Sequence, residues 1–113
     1  MNTDRELLEL AAKAASIEGK YGYAPDDYYY NGNVEGICTE LPDGRFYVWN
    51  PLTDDGDALR LAVKLRLAVD VGQEATHVYS SDRGIVEPLD TDPYAATRRA
   101  IVRAAAEIGR NMK

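Results

Sequence analysis

The sequence predicts an α+β protein in which three helices cover an antiparallel sheet of about four to six strands. Capped helix starts, runs of short strands joined by tight turns, and a length of 113 residues point to this class. The predicted order is α-β-β-(β)-α-β-β-(β)-α. Consecutive strands joined by hairpins must be antiparallel, and a chain of this length suits one domain. We therefore treat residues 1–113 as a single domain.

The first helix is predicted from Thr3 to Ile17. Thr3 can cap the helix with its side-chain oxygen, and Glu6, three residues on, completes a capping box. An apolar face follows at helical spacing, formed by Leu7, Leu10, Ala14 and Ile17.

The strands are predicted in two groups around a central helix. Glycine, proline and asparagine interrupt the stretch after the first helix, so we expect a loop there with at most a short strand at Tyr28–Tyr30. The first group is otherwise a hairpin around Pro42-Asp43-Gly44. The predicted strands are residues 34–41 and 45–50 in the first group, and 67–71, 76–80 and 85–87 in the second.

The second and third helices begin at aspartates. The second is predicted from Asp55 to Leu65. The third starts at Asp92-Pro93, an N-cap followed by proline at the first helical position, and runs to about Asn111. Its predicted buried stripe consists of Tyr94, Ile101, Ala105, Ile108 and Met112.

The acidic segment Asp54–Asp57 at the start of the second helix has three interpretations. A calcium loop of the EF-hand kind needs a glutamate at its twelfth position, where this chain has Leu65. Acid–base catalysis needs an enclosed carboxyl with a raised pKa. Capping needs only that Asp54 or Thr53 accept hydrogen bonds from the first helical turn. We predict capping, with catalysis and cation binding as the alternatives.

Residues with other chemistry are sparse. His77 is the single histidine and Cys38 the single cysteine, and neither has partners at zinc-ligand spacing. The chain carries no nucleophile elbow, dinucleotide fingerprint or phosphate loop. We predict a protein that is not an enzyme, with no catalytic residue, no metal and no cofactor.

The charge is unevenly distributed. Positions 26–92 carry 14 acidic and 5 basic residues, whereas positions 93–113 carry 5 basic and 1 acidic. The acidic middle argues against binding to nucleic-acid phosphates, which needs clustered lysine and arginine. The N-terminus has no uninterrupted apolar run, so we predict neither a signal peptide nor a membrane span. One cysteine fits a reducing cytoplasm.

Two groups of residues are candidates for binding. Five of the eight tyrosines fall between positions 21 and 30, and exposed tyrosines are enriched at binding hot spots. The arginines of the third helix form a basic face that is either solvated or pairs with an acidic patch of a second copy in a homodimer. The candidate residues are Tyr21, Tyr23, Asp26, Asp27, Tyr28, Tyr29, Tyr30, Arg99 and Arg103.

Two long motifs, "WNPLTDDGDALRLAVKL" and "DPYAATRRAIVRAAAEIGR", resemble the phage ABA sandwich domain family, and the helix "ELLELAAKAAS" is also similar. This family comprises small proteins of tailed phages and prophages of proteobacteria. The resemblance implies an α-β-α sandwich and, because the family has no assigned activity, no catalytic residues. The shared positions Trp49, Asn50, Asp55, Gly56, Asp57 and Asp92-Pro93-Tyr94 look like scaffold.

The resemblance and the missing motifs together favour a phage accessory protein in the cytoplasm of a host bacterium. There it would bind and inhibit a host protein, for example a component of CRISPR or restriction defence. One alternative is a sponge for a signalling nucleotide, in which tyrosines stack a base and arginines hold phosphates. A second alternative is a hydrolase built on the carboxylates at Asp54–Asp57.

Overall fold

The computed structural model describes residues 3–24, 34–81 and 83–112. Within these ranges, three helices and six strands alternate in the order α-βββ-α-βββ-α. The helices are α1 (Asp4–Ala15), α2 (Asp55–Lys64) and α3 (Pro93–Arg110). The strands are β1 (Lys20–Tyr23), β2 (Glu35–Glu40), β3 (Phe46–Trp49), β4 (Ala68–Val71), β5 (Ala75–Tyr79) and β6 (Gly84–Pro88).

The strands form two antiparallel sheets of three strands each. The N-terminal sheet has the order β1-β2-β3, and the C-terminal sheet has the order β4-β5-β6. The predicted α+β class with three helices is confirmed, but the structure has two sheets where we predicted one. The difference arises because α2 interrupts the strands and each sheet has its own covering helix: α1 contacts β1 and β2, whereas α3 contacts β5 and β6.

Strand β1 lies where the sequence predicts a loop. It pairs with β2 in the register Lys20↔Cys38 to Tyr23↔Glu35. The glycine within β1 pairs with Gly36 of β2, and because glycine is depleted in strands, local propensity does not predict this strand. The short strand predicted at Tyr28–Tyr30 lies outside the described residues.

The predicted helix starts are confirmed. Thr3 and Glu6 form the capping box of α1. The Asp54 side chain accepts a hydrogen bond from the Asp57 N–H at 2.8 Å. Asp92 likewise accepts from two N–H groups in the first turn of α3. These side chains satisfy backbone donors that the helix itself leaves free.

Helix α3 is the centre of the core. It contacts α1, α2, β5 and β6, and Gly109 lets it approach α1 so closely that a Cβ there would lie 2.0 Å from the Leu10 carbonyl oxygen. The predicted buried stripe is wrong at its two ends, because Tyr94 is 70% exposed and Met112 is 41% exposed. Contact on several sides buries a broader surface, composed of Ala100, Ile101, Val102, Ala104, Ala105, Ala106 and Gly109.

Candidate functional site

The predicted tyrosine cluster lies only partly within the described residues. Asp26, Asp27 and Tyr28–Tyr30 lie outside the described residues. Tyr21 lies on β1, where its hydroxyl bonds to Glu35 and the Arg5 guanidinium lies 5.3 Å from its ring centre. The hydrogen bond to Glu35 raises the pKa of Tyr21 to about 12.

Tyr23, at the end of the same strand, is 73% exposed. The structure therefore presents one of the two described tyrosines of the cluster to solvent and ties the other to a carboxylate.

The arginines of α3 pair with acids of the same chain. Arg99 lies 2.9 Å from Asp4 of α1, and Arg103 pairs with Glu87 of β6. These ion pairs connect α3 to its neighbours and offset the basic charge that a phosphate or an acidic partner would need.

The carboxylates at the start of α2 are each used within the fold. Asp54 caps the helix, which confirms the predicted role. Asp55 lies 2.7 Å from the Arg98 guanidinium, which also donates to the Leu52 carbonyl oxygen. Both contacts are structural, since they join the start of α2 to α3.

Asp57 is fully buried. Its carboxylate accepts hydrogen bonds from the Asn50 N–H at 3.0 Å, from the Tyr47 hydroxyl, and from Arg60 at 2.8 Å. Burial and the bond to Asp57 raise the pKa of the Tyr47 hydroxyl. The carboxylate therefore joins α2 to the end of β3, with donors that include the Asn50 N–H, the Tyr47 hydroxyl and the Arg60 guanidinium.

The remaining chemical candidates also have structural surroundings. The His77 ring stacks near Tyr79, with 6.1 Å between ring centres. Cys38 is half-buried, and burial raises the pKa of its thiol, so the nucleophilic thiolate is disfavoured. Across the described ranges, no three histidine, cysteine or acidic side chains are grouped to hold a metal ion.

An apolar groove separates α2 from β4. It has a volume of about 590 Å³. Ala58, Ala62 and Ile101 lie at its buried side, whereas several large apolar side chains along it face solvent. These exposed side chains are Leu59 (65%), Val69 (39%), Val71 (55%) and Tyr94 (70%). We call this surface the α2–β4 groove.

The edge of β4 along the groove carries no neighbouring strand among the described residues. Gly72 donates to the Ala75 carbonyl oxygen across the β4–β5 turn. Hydrogen-bonded and non-bonded pairs alternate in an antiparallel ladder. The N–H and C=O groups of Val69 and Val71 therefore point away from β5, towards the open edge.

Sequence reasoning missed the α2–β4 groove. One signal was present: α2 carries Leu59 and Val63 four residues apart, while Ala58, Leu61 and Ala62 are its buried apolar residues. A helix of a small domain with apolar residues on two faces has more apolar surface than one core contact covers.

Comparison with known proteins returns no match: no family model, no curated protein and no solved structure resembles the chain significantly. None of the described helices is long and apolar enough to cross a membrane.

Proposed function

We propose that this chain is a non-catalytic protein-binding module and that its binding site is the α2–β4 groove. The observation that carries this proposal is the exposure of Leu59, Val69, Val71 and Tyr94 along one continuous groove. Apolar surface of this kind costs free energy in water, and covering it with a partner recovers about 25 cal/mol for each Å² buried.

The other candidate residues, the carboxylates of α2 and the arginines of α3, already have partners within the protein. Their contacts favour a binding role over a catalytic one. A hydrolase would need a free carboxyl aimed at a substrate, whereas the carboxylates of Asp54, Asp55 and Asp57 each bond to a helix start, an arginine or a buried donor. A nucleotide sponge would need arginines free for phosphates, whereas Arg98, Arg99 and Arg103 pair with acids.

For the biological setting, the support is the sequence resemblance to the phage ABA sandwich domain family. We propose a phage or prophage accessory protein that acts in the cytoplasm of a bacterial host and inhibits a host protein, such as a component of antiviral defence. The α-β-α layer order of the family belongs to the same proposal. The acidic middle of the chain fits a basic partner surface, because opposite charges steer association.

A pull-down from a susceptible bacterial lysate tests the proposal. We expect tagged wild-type protein to retain a host protein in stoichiometric amount. Leu59→Glu should abolish this capture, because it places a charge inside the apolar groove. The matched control is Val86→Glu, at a 53% exposed valine on β6 that does not line the groove, and it should capture normally.

Three results would contradict the proposal. Equal capture by wild type and Leu59→Glu would remove the groove as the site. Loss of capture in a Tyr28→Ala, Tyr30→Ala double variant alone would move the site to the tyrosine segment. A small molecule without a protein in the eluate would favour the sponge.

A further inference from the structure

We propose that the α2–β4 groove binds its partner by strand addition: an extended segment of another protein pairs antiparallel with β4 and becomes the fourth strand of the C-terminal sheet. This inference rests on the proposed function and specifies what the groove receives. In this mode, backbone hydrogen bonds supply affinity, and pockets for alternate side chains supply specificity.

The first argument is the open edge of β4. Each of its four residues is exposed, and the backbone groups of Val69 and Val71 point outward. An unpaired strand edge is a ready template for another strand. A four-residue strand offers two outward-facing residues, which allows about four backbone hydrogen bonds with an added strand.

The second argument is the space beside that edge. Helix α2 packs on α3 and lies across the groove from β4. Side chains alternate between the two faces of a strand, so an added strand would point every second side chain into the groove. Those side chains would meet Val69 and Val71 along β4 and Leu59 on α2, and the contacts are apolar.

The third argument is charge. Asp70 faces the side of β4 opposite to Val69, and Glu74 follows in the turn, while Arg66 precedes the strand. An antiparallel segment begins near Glu74 and ends near Arg66. The segment should therefore alternate apolar residues with polar ones that are basic at its start and acidic at its end.

A second copy of this chain matches the same charge pattern, because antiparallel pairing of β4 with β4 sets Arg66 opposite Glu74, but its α2 helix makes it fit the edge less well. Pairing β4 with β4 across a two-fold axis would place both α2 helices on the same side of the joined sheet, close to the axis. One α2 already lies across the groove there, so the second would crowd it. A segment that arrives without its own covering helix avoids this conflict.

The test uses the labelled peptide Lys-Val-Lys-Val-Ser-Val-Glu and fluorescence anisotropy with the full chain. We expect saturable binding, and weaker binding of the reversed sequence. In antiparallel pairing the valine N–H groups face β4, so N-methylation of the valines should weaken binding about tenfold or more. N-methylation of the second lysine and the serine blocks the other edge and is the matched control.

Protein variants test the same contact from the other side. Val69→Pro removes an outward N–H without removing a bond to β5, because proline is tolerated at strand edges. It should weaken peptide binding about tenfold, whereas Val69→Thr, which keeps the N–H and exchanges one methyl group for a hydroxyl, should weaken binding by a clearly smaller factor. Circular dichroism and the melting temperature check that each variant folds.

The outcomes separate this inference from the proposed function. No saturable peptide binding, or equal effects of the two methylation patterns, would overturn strand addition. If Leu59→Glu abolishes host-protein capture while Val69→Pro leaves it intact, the groove binds a partner protein through an element other than an added strand, such as a helix. That result would overturn strand addition and keep the proposed function. A dimer in sedimentation velocity that Val69→Pro dissociates would assign the edge to a second copy and overturn the inference.

Discussion

Strands β3 and β4 flank α2 in the chain, and each is an outer strand of its sheet, yet their surroundings differ. Val48 and Trp49 of β3 are buried, whereas every residue of β4 is exposed. At the end of β3, the Asp57 carboxylate of α2 accepts a hydrogen bond from the Asn50 N–H. At β4, the N–H groups of Val69 and Val71 point towards the open α2–β4 groove instead.

The difference shows that α2 has two unlike sides. Its first turn is fixed to β3 by the buried Asp57 carboxylate, which accepts hydrogen bonds from the Asn50 N–H and the Tyr47 hydroxyl. Its exposed side carries Leu59 and Val63, at 65% and 69% exposure. We infer that the β3 side stabilises the fold and that the β4 side is available for a partner, and four predictions test this division.

The largest effect should come from Asp57→Ala. It leaves the Asn50 N–H and the Tyr47 hydroxyl without their buried acceptor, so we expect the free energy of unfolding to fall by about 3 kcal/mol. Urea denaturation measures the change. The control is Asp55→Ala, where an ion pair at a 68% exposed carboxylate should cost under about 1 kcal/mol. Equal losses in the two variants would refute the contrast.

Tyr47→Phe should cost about 2 kcal/mol near neutral pH, because one hydrogen bond to a buried carboxylate is lost. It should also change the response to alkali. Burial and Asp57 raise the pKa of the Tyr47 hydroxyl above its ordinary value, so its stabilising contribution is present below pH about 10. That contribution is lost as the pH rises through the folded-state pKa.

Unfolding measured across alkaline pH checks this behaviour. Wild type should lose stability more steeply than Tyr47→Phe above pH about 10. Tyr94→Phe, at an exposed tyrosine, should follow wild type. Parallel curves for wild type and Tyr47→Phe would mean that the hydroxyl of Tyr47 does not stay neutral in the folded protein.

Removing the cap of α2 should have an intermediate effect. Asp54→Ala leaves the Asp57 N–H without its acceptor, and such changes cost about 1 kcal/mol. Asp54→Asn keeps a capping oxygen and should lie within a few tenths of a kcal/mol of wild type. Thermal unfolding followed by circular dichroism can rank the two, and a reversed order would argue against capping.

The smallest effect on stability should come from the β4 side. Leu59→Glu changes a 65% exposed residue, so we expect a change within about 0.5 kcal/mol, together with loss of the bound protein. Leu61→Ala, two positions on in the same helix, removes a buried side chain and should cost about 3 kcal/mol. Comparable losses in the two variants would mean that the groove is part of the core.

The sequence predicts elements whose signals are local. The caps at Thr3, Asp54 and Asp92 determine where the helices begin, and all three are present. The turn at residues 42–44 connects β2 and β3 as predicted, with Leu41 donating to the Arg45 carbonyl oxygen. Such features depend on residues a few positions apart, and for that reason they can be predicted from one sequence.

Features that depend on distant parts of the chain were not predictable in the same way. Strand β1 exists because β2 pairs with it. The helical spacing of Tyr94 and Met112 could not show that the two ends of α3 extend beyond the elements that cover the rest of this helix. The groove depends on where α2 stands relative to β4. Arg99 and Arg103 formed a basic face in sequence, but their acidic partners, Asp4 and Glu87, come from other elements.

The contact between Gly109 and Leu10 has a consequence for synthesis on the ribosome. Two helices from opposite ends of the described chain meet at closest approach there, so this contact has very high sequence separation. Each sheet is a local meander that can form early, whereas α3 covers the C-terminal sheet and contacts α1. The core between α1 and α3 can therefore close only after α3 has been synthesised. Until then the apolar face of α1 stays exposed, and chaperones can bind exposed apolar surface of this kind.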